Sequence, residues 1–276
     1  MQHFVIHLRR CASALIAPML AATPSVQALE PFTAHYQATH NGLPAARVEL
    51  SFTRQPDGGY HYRRHSRTTG LVALFHNERI TETSRGQWVA GLPQPDHYQY
   101  RRLGSKARHV TIDFDWRQLK ARNTLNGTLW FMTIPAGTVD KLSVDLALMQ
   151  AMNRPHPAPG HAATAGFAIA DGGKLKHYCF DILRQAVVRT ARGQFDTVVV
   201  QRRQAAQGAR RTQLWLAPRL HYLPVRIRHE ERDEGAFELL LERYRPGPAA
   251  TRPESTAAAS RNATSPSRHT TATLTC

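Results

Sequence analysis

Cysteine, acid and long apolar runs are all scarce in this chain. Three cysteines stand at positions 11, 179 and 276, too few and too far apart for a disulfide framework or a cysteine-rich zinc ribbon. No serine sits in a Gly-x-Ser-x-Gly elbow and no glycine loop of the phosphate-cradling kind occurs, so neither the α/β-hydrolase nor the P-loop pattern applies. The 15 histidines form no chelating array. His61 and His65 would share a strand face about 13 Å apart, too far to hold one ion together. No metal and no cofactor is expected, and no fixed-period repeat is found.

The longest apolar run lies at the start. Arg9 and Arg10 form a short basic step, and the stretch from Cys11 to Ala22 that follows is 12 residues long with Pro18 inside it. A helix crossing a bilayer needs roughly 20 residues, so the pattern is that of a cleavable secretory signal. Val26-Gln27-Ala28 supplies the small residues of a cleavage site, placed after Ala28, and the mature chain is expected in the periplasm. Cys11 follows Leu8-Arg9-Arg10, which is not the setting of a lipidated cysteine. Later apolar runs are broken by Arg, His, Asp or Gly within a few residues, so the mature chain is read as soluble and not membrane-spanning. Cleavage leaves Cys179 and Cys276, and at most one internal disulfide. A polar tail can bring Cys276 to Cys179, but its composition gives it no reason to stay.

Acids are outnumbered: 20 Asp and Glu stand against 36 Lys and Arg, a formal charge of +16. Loss of Arg9 and Arg10 with an acid-free signal lowers this to +14. Such a balance favours anionic partners, and export leaves acidic lipid, glycolipid or envelope glycan in place of nucleic acid. A basic composition counts as a site only where the residues are contiguous.

What is present is alternation. Phe32, Ala34, Tyr36 and Ala38 share one face, as do Val48, Leu50 and Phe52, and Asn41-Gly42 between them tolerates the positive φ of a tight hairpin turn. Pro56-Asp57-Gly58-Gly59 turns into Tyr60 and Tyr62. Further strands are predicted around 80–84, 98–102, 108–114, 128–134, 166–170, 175–190, 195–203, 211–216, 225–230 and 237–244. About a dozen strands with short turns predict an all-β, mainly antiparallel fold. The sheet should curve strongly or partly close into a barrel, because wide open sheets curl and free edges invite aggregation. One amphipathic helix is predicted over about 140–152, packed in or across the concave side. Asp140 should cap it, and Leu142, Leu146 and Met149 give it an apolar face able to serve as plug or lid. The domain therefore spans 29–245, and the Ala, Thr, Ser, Pro and Arg tail of 246–276 reads as disordered.

Two constellations carry candidate chemistry. Asp113 and Asp115 would point to one face about 7 Å apart, a spacing open to glycoside hydrolysis, to holding a hard cation, or to a strand end entering a turn. Trp215, His221 and Tyr222, with Trp116, are aromatics able to line a ligand site or simply to pack a core. The leading expectation is a non-catalytic binding, carrier or envelope-maintenance protein for an apolar or amphiphilic anionic molecule. A glycan hydrolase using Asp113 and Asp115, and a protein-binding scaffold, are the alternatives.

Several phrases occur together in order: Asn41-Gly42-Leu43, Thr69-Gly70-Leu71, Arg79-Ile80-Thr81-Glu82-Thr83-Ser84-Arg85, Asp113-Phe114-Asp115-Trp116, Gly137-Thr138-Val139-Asp140, Gly193-Gln194-Phe195-Asp196 and Leu214-Trp215-Leu216-Ala217-Pro218. Over most of residues 30–245 the chain resembles a bacterial exported family, domain-of-unknown-function family 3108. The resemblance implies an extracytoplasmic β-rich domain and carries over no reaction, ligand or catalytic residue.

Overall fold

A computed structural model describes residues 29–70, 73, 77–104, 106–154, 164–203, 210–232, 235–248 and 276. The predicted signal, the connection after Arg154 and most of the tail lie outside the described residues.

The first half of the chain is a meander of β1 (Phe32–His40), β2 (Leu43–Arg54), β3 (Gly59–Thr68), β4 (Arg79–Val89), β5 (Leu92–Leu103), β6 (Arg108–Asp115), β7 (Lys120–Leu125) and β8 (Thr128–Thr133). A short β9 (Val139–Asp140) leads to the helix α1 (Ser143–Met152). A second meander follows: β10 (Thr164–Asp171), β11 (Lys174–Thr190), β12 (Gly193–Arg202), β13 (Arg210–Ala217), β14 (Leu223–Glu231) and β15 (Gly235–Pro246). Pairing of β1 with β15 joins the two halves into one sheet of 15 strands, with β8 and β9 at its ends. All pairings are antiparallel except β9 with β10. The sheet is curved, mostly antiparallel and not closed.

The local causes are those of alternating strands. In β1, Phe32, Ala34, Tyr36 and Ala38 are buried and the residues between them are not. Asn41 and Gly42 take φ of 48° and 82°, as a two-residue hairpin turn requires. At Gly86, beside a bulge in the β4–β5 ladder, an added Cβ would collide with the backbone of Gln94 and Pro95, so only glycine allows that approach.

Two strands escape the sequence reading. β7 is polar along most of its length; it buries Ala121 and Asn123 and packs the half-buried Leu125 at its end against the core. β9 is two residues long, and its parallel pairing with Ile169 and Ala170 keeps Asp140 extended. The helix therefore begins at Ser143, not at Asp140, with Leu142 in the flanking position.

α1 is buried on nearly every side. Leu142 ahead of it, with Leu146 and Met149, joins a core built mainly from β1–β7, while Val144, Ala147, Leu148 and Met152 join a second core with Phe167, Ile169, Phe180, Val200 and Leu216. A helix apolar around its circumference belongs in an interior, and here it fills the space that the curled sheet encloses. Tyr36 adds a tie across the sheet, its hydroxyl donating to the Pro224 carbonyl at 2.8 Å.

Cys179 and Cys276 are joined in a disulfide, with Cα atoms 6.0 Å apart. The sequence offered no reason for the tail to stay. The structure supplies one beside the bond: Arg203 donates to the Cys276 carbonyl at 3.1 Å and pairs with Asp181, two residues along β11 from Cys179. Peptide mapping without reductant is expected to recover residues around 179 and 276 as one linked species, and recovery of two free thiols would refute the pairing.

Candidate functional site

Extending the inward phase of β3 past Tyr60 and Tyr62 brings Arg64 and Ser66 to the concave side. Glu82 lies opposite Arg64 on β4, and Tyr100 opposite Glu82 on β5. These strands face β11–β15 across the N-terminal turn of α1, and between them lies a cleft of about 420 Å³. Val48, Ile80, Phe180, Leu214, Ile227 and Leu239 supply its apolar wall, and Arg64, Lys141 and Arg202 its cations.

The floor of the cleft is a polar network. Arg64 donates to Glu82 at 3.0 Å and to Asp145 at 2.7 Å. Its side chain is 25% exposed while that of Glu82 is 4% exposed, so the guanidinium reaches the cleft and the carboxylate stands behind it. Glu82 also accepts from the Tyr98 hydroxyl at 2.9 Å. Burial works against the charge on Arg64, but Glu82 and Asp145 outweigh it and raise its pKa. Burial likewise pushes the Asp145 carboxyl up, against the pull of Arg64.

Behind this floor sits Asp140, fully buried, accepting from the amides of Leu142 and Ser143 at 2.8 and 2.7 Å and from the Ser84 hydroxyl at 2.5 Å. The Ser143 hydroxyl returns a bond by accepting from the Asp140 amide. The bonds anticipated for a cap are thus made, from a residue that is itself in a strand. Burial raises the Asp140 pKa to about 6, although the hydrogen bonds it accepts favour the charged form.

The other two cations are differently placed. The Lys141 ammonium lies over the ring of Tyr100 at 5.6 Å, and the Arg202 guanidinium over Tyr178 at 4.6 Å. Among the described residues neither has a carboxylate within ion-pair distance. Cation–π contacts hold these side chains at the rim while leaving their charge uncompensated.

The aromatic residues singled out in the sequence do not come to this cleft. Trp215 is buried on the opposite face of β13 from Leu214, under the Arg226 guanidinium at 4.6 Å. His221 and Tyr222 take φ of 51° and 60° in the turn after Pro218–Leu220. Trp116 stacks on Phe114 at 5.6 Å and donates to the Pro95 carbonyl. Leu142, Leu146 and Met149 pack in the first core, and the turn entering α1 sends only Lys141, Val144 and Asp145 to the cleft.

Asp113 and Asp115 stand on the outer face of β6, with buried Phe114 between them on the inner face. Partial burial would raise the Asp113 carboxyl, but hydrogen bonds from Arg122 and His97 hold it below the usual range. Asp115 accepts from the amides of Arg117 and Gln118 in the turn to β7. A carboxyl held down in this way does not serve as the general acid of glycoside cleavage. Among the described residues no three His, Cys, Asp or Glu side chains gather as metal ligands.

The cleft residues were missed because the sequence reading ended the β3 pattern at Tyr62. The available signal was a charged residue at each of two inward positions, Arg64 and Glu82, where alternation calls for apolar side chains.

No curated protein matches the chain. Among solved structures it is similar to a β-barrel-like protein of domain-of-unknown-function family 1849 from Brucella abortus, with a TM-score of 0.52 and 12% identity over 81% of this chain and 100% of that one. A candidate lipoprotein of Parabacteroides distasonis ATCC 8503 overlays at a TM-score of 0.32 and 11% identity, covering 80% of this chain and 98% of that one. The first likeness concerns the fold, a barrel-like sheet. No helix among the described residues is long and apolar enough to cross a membrane. The model of a protein family of unknown function, DUF3108, matches residues 32–242, from the start of β1 into β15, and the chain belongs to that family.

Proposed function

We propose that this chain is an exported binding protein that holds an amphiphilic anion in the cleft beside α1. The observation that carries the reading is the cleft's division of labour. An apolar wall is contributed by both halves of the sheet, and two cations at its rim, Lys141 and Arg202, lack carboxylate partners. Its volume of about 420 Å³ lies within the ordinary range of small-ligand sites. The acyl part of a ligand would lie against Ile80, Leu214 and Leu239, and its head would meet Arg202 and Lys141. Export is supported by the signal pattern over 1–28 and by a disulfide, which persists in oxidising compartments. The packing of α1 against both cores supports reading it as a wall of the cleft in place of the lid expected from the sequence.

The test is displacement of a fluorescent fatty acid from the purified protein, with native mass spectrometry of protein taken from the envelope fraction. The fatty acid is expected to bind and the matching fatty alcohol to bind more weakly. Lys141→Gln/Arg202→Gln should weaken the acid about 10-fold or more, the scale of a lost charge-assisted hydrogen bond, and leave the alcohol unchanged. Leu214→Arg should abolish both. Protein recovered empty, with no displacement by either probe, would overturn the reading.

A further inference from the structure

The convex side of the first meander carries a second feature, independent of the cleft. Six arginines, Arg47, Arg63, Arg67, Arg79, Arg85 and Arg101, are exposed on the outer face of β2–β5. They are contiguous. Arg47 lies directly opposite Arg67, and Arg67 opposite Arg79, so three guanidinium groups stand side by side across three neighbouring strands. Arg85 lies opposite His61, and Arg101 opposite Thr81, whose other neighbour is His65. Among the described residues of this face Glu49 is the acid, with Asp96 at its rim under the influence of Arg85; on the next strand Asp113 is engaged by Arg122 and His97, and Asp115 by the amides of the turn that follows. Among the described residues none of the six arginines makes an ion pair.

In the second meander no such row forms: Arg184, Arg189 and Arg192, exposed and likewise without ion pairs among the described residues, lie along one strand and its turn with no arginine directly opposite. There Arg210 pairs with Glu231, Arg226 with Glu238 and Arg228 with Glu230. Like charges directly opposite on adjacent strands destabilise a sheet, so folding alone does not account for an uncompensated row. An anionic surface would offset the repulsion. Beside the row, an indentation of about 290 Å³ is lined by His35, Arg47, Glu49, His65, Arg67 and Arg243 and also touches Glu242. It is the size of a headgroup. The residues between the arginines are Glu49, Ser51, Thr53, His61, His65, Thr81, Thr83 and Gln99, hydrogen-bonding groups with no Phe, Tyr or Trp among them. Single-stranded nucleic acid calls for stacking platforms, and duplex calls for an element that enters a groove. A flat sheet face with no Phe, Tyr or Trp among its described residues, and His61 and His65 set among the arginines, supplies neither, whereas phosphate groups spread over a surface need only charge and donors.

We infer that this outer arginine face docks the protein on a phosphate-bearing lipid surface. Co-sedimentation with vesicles of phosphatidylcholine and phosphatidylglycerol in equal parts, against phosphatidylcholine alone, tests it. The chain is expected to bind the mixed vesicles, to bind less as salt is raised, and to ignore the neutral ones. Arg67→Gln/Arg79→Gln/Arg101→Gln should lower partitioning about 100-fold, close to fivefold for each cation, whereas the corresponding Lys variants keep binding. Arg184→Gln/Arg189→Gln/Arg192→Gln, an equal change of charge on β11 and its turn, should lose far less. Because the three outer arginines have no carboxylate partners, their Gln variant should melt no lower than the parent. Three results would overturn the inference: no binding to mixed vesicles, equal loss in the β11 variant, or displacement from vesicles by duplex DNA at matched phosphate concentration.

Discussion

Replacing Arg64 with Met is expected to destabilise the protein by about 3–5 kcal/mol, the usual result of removing one partner from a buried charge network. The reason lies in what is left behind. Glu82 and Asp145 both bond to the one guanidinium, through different nitrogens, and Glu82 is 3% exposed. Without Arg64 they become two buried carboxylates beside each other with no counter-ion. Arg64→Lys should recover only part of the loss, since a point charge on a flexible stem does not reproduce a fork that spans two carboxylates. Arg64→Met/Glu82→Gln/Asp145→Asn should recover most of it, because the charges leave together. Urea denaturation of the four proteins checks this. A loss under about 1 kcal/mol for Arg64→Met would mean that the two carboxylates are solvated through the cleft.

That network also explains why the fold was more legible in the sequence than the site. Period-two alternation in β1, β2 and β3, with Asn41-Gly42 and Asp57-Gly58 between them, carries its own signal: each buried side chain announces the face. β7 carries little, because of its inward residues Ala121, Asn123 and Leu125 only the last, at the strand's end, is large and apolar. β9 is held by pairing with a strand some 30 residues later in the chain. The start of α1 was therefore placed at Asp140, whose hydrogen bonds are those of a cap while its backbone belongs to the sheet. The candidate aromatics lie away from the cleft for a different reason. Trp215, Trp116 and Tyr222 are large and rare, which marks them equally for a core and for a ligand, and curvature decided between the two. Cleft residues such as Arg64, Tyr100, Phe180 and Arg202 come from four strands of both meanders. Only the curling of the open sheet around α1 brings them together, and no window of sequence contains that. The outer arginines fall between these cases: their spacing along each strand was visible, but the direct opposition of Arg47, Arg67 and Arg79 depends on register.

The second large effect centres on Asp140, where cap and charge can be separated. Asp140→Ala strips acceptors from the buried amides of Leu142 and Ser143 and from the Ser84 hydroxyl. An exposed cap is worth about 1 kcal/mol, but unsatisfied buried donors cost about 1–3 kcal/mol each, so a total near 3 kcal/mol is expected. Asp140→Asn keeps an acceptor for the two amides and should lose much less. It also removes a titration whose sign is fixed. Burial lifts the Asp140 pKa to about 6 in the folded protein, above the ordinary carboxylate value it regains on unfolding. The folded state thus binds the extra proton between those values. The stability it confers is fully present below the unfolded pKa and is lost as pH rises through about 6, by roughly 3 kcal/mol at most. Asp145, raised by burial as well, adds to the same trend. Urea midpoints at about pH 4.5 and pH 7.5, on either side of the shifted value, should therefore lie further apart in the parent than in Asp140→Asn. Equal pH dependence in the two proteins would place the titration elsewhere, and a loss in Asn as large as in Ala would show that the carboxylate's charge, and not its acceptors, organises the turn into α1.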